Sequence, residues 1–189
     1  MELSPYFEFL NGLLHISEEE LNQIAGMIVE TSISERSIWL IGNGGSASTA
    51  EHFETDLSFI RKGVPFPKSR VSALTSNSSL ISAIANDIGY KNIFSHQLFR
   101  KADAEDLCIL ISASGNSENL INAALACKEI GVKTIGLLGF DGGKLAGLVD
   151  SSIIVRTEIG KYGPVEDVHL AICHAVSELV GSKLESLNN

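Results

Sequence analysis

The chain has 189 residues, 44 % of them hydrophobic and 20 % charged, with a formal net charge of −9. That size and balance suit one α/β domain with a substantial core and exclude a disordered chain; the negative charge argues against a nucleic-acid partner. No stretch approaches the ~20 apolar residues of a membrane span, and MELSPYFEFL lacks the basic flank of a secretory signal, so a cytoplasmic protein is expected.

A weakly patterned start containing His15 leads into a helix predicted over 18–33, whose apolar stripe of Leu21, Ile24, Ala25 and Ile28 must pack on something. A partner subunit is the expected cover, so residues 1–35 read as a helical oligomerisation segment. Strand-length apolar runs then follow at SIWLI (37–41), VSALT (71–75), LCILIS (107–112), KTIGLLG (133–139) and SIIVR (152–156). Helical patterns lie between them near 46–61, 79–86, 92–101, 117–130 and 143–148, and a long final helix spans about 165–184. Five strands alternating with helices predict an α/β fold: three layers, a five-stranded parallel sheet with flavodoxin-like winding, and one domain over 1–189, with sheet and covering helices in 36–189. KGVPFPKSR (62–70) is the loosest loop. Cys108, Cys127 and Cys173 lie in apolar stretches without metal-ligand spacing and are expected to be reduced core residues.

Two loops invite a phosphate. IGNGGSAST (41–49) places Asn43, Gly44, Gly45 and Ser46 between a strand and a helix, where glycines allow close backbone approach and the helix offers free N–H groups. It matches neither GxGxxG nor GxxxxGK[ST], and tight packing alone would explain the glycines equally well. ISASGNS (111–117) ends the third strand in the same way, with Ser112, Ser114 and Ser117 before another helix. Three hydroxyls and helix N–H groups can surround a phosphate without a lysine, and open α/β sheets bind ligands at such carboxyl ends.

A second cluster carries proton-transfer groups. His52 and Asp56 stand at i and i+4 on one helix face, while Glu166 and His174 lie about two turns apart on the last helix, separated by roughly 80° about its axis, with His169 on a neighbouring face. Brought together, two imidazoles and two carboxylates form either a divalent metal site or an acid/base pair; apart, they are ordinary surface residues.

GNGGS followed by AEHF (50–53), AIANDIGY (83–90), ISASGNS, LGFDGGKLAG (138–147) and EDVHLAICH (166–174) resembles the sugar isomerase (SIS) domain family, in particular the phosphoheptose isomerases, over nearly the whole chain. The resemblance implies a homotetramer with active sites shared between subunits. It also implies the interconversion of sedoheptulose 7-phosphate and D-glycero-D-manno-heptose 7-phosphate through an enediolate, in bacterial heptose synthesis for lipopolysaccharide and capsule. By the same resemblance, the loop around Gly44, Gly45 and Ser46 cradles the phosphate, gripped by Ser46, Ser112, Ser114 and Ser117. Asn43 and Asp87 contact sugar hydroxyls, Glu166 is a further substrate-binding residue, and Asp56 and His174 are catalytic. Zinc, where family members bind it, would be held at His52, Asp56, Glu166 and His174.

Three departures stand out. Asp56 replaces the usual Glu, shortening the arm by about 1.3–1.5 Å; Glu166 replaces the usual Gln, adding a negative charge; and Ile60 stands where an arginine is usual, with Arg61 one position later. Another sugar phosphate, or a non-catalytic SIS protein that binds a partner such as a replication initiator, are the alternatives. His52, His174 and the retained carboxylates favour an enzyme. Blander readings suit His15 and His96 as surface residues, Trp39 as core, the DGGK turn with Lys144 as a helix entry, and Tyr162 and Gly163 as the lead into Pro164 in a first helical turn.

Overall fold

A computed structural model of the chain describes residues 5–59 and 70–187. Ile60, Arg61 and the 62–70 loop, save Arg70, lie outside the described residues. The strands are β1 (Ile38–Gly42), β2 (Val71–Ala73), β3 (Leu107–Ser112), β4 (Lys133–Gly139) and β5 (Ser151–Val155). Seven helices accompany them among the described residues: α1 (Pro5–Leu13), α2 (Glu18–Ile33), α3 (Gly45–Ser58), α4 (Ser78–Asp87), α5 (Ser95–Lys101), α6 (Glu118–Ile130) and α7 (Tyr162–Leu187). The expected helix at 143–148 is a single 3₁₀ turn, Lys144–Gly147.

All strand pairs are parallel and the sheet order is β2-β1-β3-β4-β5. This is the flavodoxin-like winding expected. The chain runs from β1 outward to β2, returns to β3 and continues in the other direction, so β1 and β3 flank the point where the winding reverses. Gly42 pairs with Ile111, and the carboxyl ends of both strands therefore open side by side, where such sheets hold ligands.

Every residue of β1 and β3 is buried, as strands covered on both faces require. Alternate residues serve opposite layers: Ile38, Leu40, Leu107 and Ile109 pack with α2, α3 and α7, whereas Ile41, Cys108 and Leu110 pack with α5 and α6. Trp39 faces the second layer and donates its indole N–H to Asp106 at 2.9 Å, so its polar edge is satisfied inside the core. The three cysteines are buried free thiols.

Ser17 starts α2 with a capping box, its hydroxyl accepting from Glu20 N at 3.1 Å while Ser17 N donates to the Glu20 carboxylate at 3.3 Å. The α2 stripe does not wait for a partner subunit: Ile24, Ala25 and Ile28 are buried within the chain, where α2 packs on α7. A cluster of exposed aromatic residues lies instead on α1, a helix the sequence pattern did not announce. It rests on α7 without a buried residue and exposes Tyr6, Phe7 and Phe9. No helix among the described residues is long and apolar enough to cross a membrane.

Candidate active site

The turn from β1 into α3 is shaped by glycine. Gly44 takes φ 54° as the N-cap of α3 and brings no side chain to that helix end, and at Gly42 a Cβ would collide with the backbone of Ser46. Ser46 is buried in the first turn. Asn43 and Asn119 exchange two amide hydrogen bonds, 2.9 and 2.8 Å, and the Tyr90 hydroxyl donates to Asn43 at 3.0 Å. Most of the Asn43 amide is thus engaged in fastening the first loop to the start of α6, a long-range lock that only the fold reveals.

The second loop is fastened from behind. Gly115 (φ 61°) lies so close to Gly142 that a Cβ would strike the Gly142 carbonyl. Leu145 N donates to Gly115 O at 3.0 Å and Lys144 N to the Asn116 side chain at 3.1 Å. The glycines of the DGGK turn therefore serve this contact, to which Lys144 contributes its backbone N–H. Gly115 N donates to the Ser112 hydroxyl at 3.1 Å and Asn116 N to that of Ser114 at 3.2 Å, while the Ser117 hydroxyl makes no cap to α6.

Between the loops lies a cleft of about 170 Å³ lined by Asn43, Ser46, Ser112, Ser114, Ser117, Tyr162 and Glu166. Asp87 is not among its walls: it ends α4, exposed, accepting a 2.8 Å bond from the neighbouring Asn86 amide. Tyr162, read from sequence as a simple helix entry, does line the cleft, its ring edge-on to Phe140 at 5.1 Å.

The titratable cluster forms where α3 crosses α7. His52 Nε2 and His174 Nε2 are 3.0 Å apart, Asp56 Oδ1 is 3.6 Å from the first and Asp56 Oδ2 3.7 Å from the second. One oxygen of Asp56, Oδ2, is buried without a hydrogen-bond partner. The carboxylate and burial together push the thiol of Cys173 up, burial being the larger cause. Glu166 is not part of this group. Eight residues before His174, it sits about 12 Å back along the α7 axis, with its carboxylate lying on Gly45, where a Cβ would meet Glu166 Cδ at 2.6 Å. Four-coordinate zinc with bonds of about 2.0–2.1 Å sets its donor atoms about 3.3 Å apart. One ligand atom from each of His52, Asp56 and His174 lies within 4.8 Å of the other two, and Asp56 Oδ2 is buried without a hydrogen-bond partner, so these residues fit a metal ion.

His169, between the two ends of the site, is fully buried and donates Nε2–H to Leu138 O at 3.0 Å, which leaves Nδ1 unpartnered. Burial lowers its pKa to about 4, against which the bond to Leu138 works. It pins α7 to β4. His15 is exposed and His96 half-buried on α5, and neither belongs to the His52–Asp56–His174 group.

The two ends are joined by two helices that start at the cleft. From Ser46, α3 reaches His52 and Asp56 about 9 and 15 Å further on, and α7 reaches His174 about 12 Å beyond Glu166. Residues 6–139 match the SIS domain family. The phosphoheptose isomerase of Aliarcobacter butzleri is 35 % identical over 187 residues, spanning 97 % of this chain and 95 % of that protein. The chain belongs to the SIS-domain family and, within it, to the phosphoheptose isomerases. The phosphoheptose isomerase of Aneurinibacillus thermoaerophilus is 38 % identical across 87 % of this chain and 84 % of its own. Among solved structures, phosphoheptose isomerase GmhA from Neisseria gonorrhoeae superposes with a TM-score of 0.82 at 30 % identity, covering 94 % of this chain and 93 % of that one.

Proposed function

We infer that this chain is an aldose–ketose isomerase that interconverts sedoheptulose 7-phosphate and D-glycero-D-manno-heptose 7-phosphate, a step in the synthesis of heptose for surface polysaccharides. One arrangement carries the reading: a lysine-free serine cleft at the start of α3 and α7, with a His–Asp–His group further along the same two helices. An open-chain heptose phosphate is about 10 Å long from phosphorus to C1, counting bonds of about 1.5 Å. It can therefore span from one end to the other.

At the cleft, the hydroxyls of Ser46, Ser112, Ser114 and Ser117 and the N-terminal N–H groups of α3 and α6 grip the phosphate. At the far end the Asp56 carboxylate takes a proton from C1 of the ketose and returns it to C2, while His174 gives a proton to O2 and receives the one leaving O1. The hydrogen count is unchanged, as an isomerisation requires. His52 holds Asp56 and His174 in register. Zinc held by His52, Asp56 and His174 would instead supply Lewis-acid stabilisation of the negative charge that develops on the two oxygens, taking the place of proton donation by His174. The protein is read as a cytoplasmic homotetramer, and the exposed aromatics of α1 are the surface that supports a contact between subunits.

The test is a coupled assay with sedoheptulose 7-phosphate on zinc-loaded and chelated protein, with Asp56→Asn as control. Turnover that follows zinc and disappears in the control is expected. Turnover untouched by chelation removes the metal from the reading, and no turnover in any preparation removes the isomerase.

A further inference from the structure

The phosphate cleft is built from hydroxyl and N–H donors, yet one of its walls is a carboxylate. Glu166 projects from α7 and lies on Gly45, the first residue of α3, so closely that a side chain there would overlap its Cδ at 2.6 Å and Oε1 at 2.7 Å. The end of a helix that would favour a bound phosphate is thus already occupied by an anion of the chain itself, and a carboxylate at that end is favoured for the same electrostatic reason. An incoming phosphate dianion meets a competitor for the α3 terminus and a like charge in a cleft of about 170 Å³.

Resting on the reading of this cleft as a sugar-phosphate site, we propose that Glu166 is a specificity-determining residue, a tethered anion that the substrate's phosphate must displace. The side chain is free to leave. It is half-buried, sits on a glycine and ends a flexible arm, so it can swing away while the α3 turn stays in place. Displacement weakens the capture of every phosphorylated ligand. A complete sugar phosphate offsets this through the contacts of its carbon chain, and inorganic phosphate cannot. The carboxylate thereby weakens the hold of free phosphate on the site relative to a complete sugar phosphate.

The experiment titrates inorganic phosphate, and separately unphosphorylated sedoheptulose as a neutral probe, into wild type, Glu166→Gln and Glu166→Ala by calorimetry, with turnover of sedoheptulose 7-phosphate followed in wild type. Phosphate is expected to bind about tenfold or more tightly to both variants than to wild type, with a gain that shrinks as ionic strength rises and no matching gain for the neutral sugar. Glu166→Gln is nearly isosteric and Glu166→Ala removes the side chain, so a packing defect in one does not obscure the other. Phosphate affinity unchanged or weaker in both variants, with wild type still turning over, overturns the proposal. A wild type that neither binds phosphate nor turns over sedoheptulose 7-phosphate overturns the functional reading beneath it, and the proposal with it.

Discussion

The two ends of the site are made from different materials. The cleft end is backbone: its form depends on positive-φ glycines, on Gly115 wedged against Gly142 and on amide locks such as Asn43–Asn119. The far end is side chain alone, three residues on two regular helices whose backbone would be the same with any other surface residues. Chemistry mounted on helices can be exchanged one residue at a time, whereas an anion cradle made of backbone must be kept or lost as a unit. Substitutions at the two ends should therefore fail in different ways.

The largest effect is expected at the helix-mounted end. His174→Ala removes a proton-transfer group and one of three possible ligands, so kcat should fall by about 10²–10⁴-fold. The affinity for inorganic phosphate, measured by calorimetry, should stay at the wild-type value because none of the cleft walls has changed. If phosphate affinity falls together with kcat, the two ends are a single coupled unit and the comparison breaks.

His169 sits between them and tests whether α7 is one rigid rod. Its pKa is about 4 in the fold because of burial, against about 6.5 for an exposed histidine. Below pH 6.5 the unfolded chain takes up a proton that the folded chain refuses. The stability held by neutral His169 is therefore complete above pH 6.5 and is lost as pH falls towards 4, by up to about 3 kcal/mol. His169→Gln keeps a donor for Leu138 O without the titration. In urea unfolding across pH 4–7 the variant should show a shallower acid limb than wild type, and parallel limbs would count against the assignment.

Much of this was legible in the chain before it was folded. The ends of β3 and β4 coincide with the runs read from the sequence because both strands are buried on two faces over nearly their whole length. The serine and glycine loops announced the cleft. What stayed hidden was mostly geometry at a distance. The angular separation of Glu166 and His174 suggested a shared face, but the rise along α7 carries them about 12 Å apart and delivers Glu166 to the other end of the site. Asn119 and Tyr90 as partners of Asn43 depend on contacts across tens of residues, and α1 buries nothing that a pattern could detect. Asp87 matched a family motif, and its place at the exposed end of α4 depends on the fold.

The smallest expected effect is also the most discriminating, because it compares one chemical change at two glycines of the cleft end. At Gly115 an added methyl must adopt φ 61°, costing roughly 1–2 kcal/mol, and must move the Gly142 backbone as well. Gly115→Ala should lower the melting temperature measurably and weaken phosphate binding, since the serine loop cannot keep its seat on the DGGK turn. At Gly45 the nearest atoms to the methyl are those of the Glu166 carboxylate, the end of a flexible side chain, and alanine in a helix gains up to about 1 kcal/mol over glycine. Gly45→Ala should therefore leave thermal stability within about 1 kcal/mol of wild type. Calorimetric melting of the two variants side by side checks the contrast. Equal losses would mean that Glu166 is held as firmly as the backbone, and that the cleft is a rigid cradle at every point of its wall.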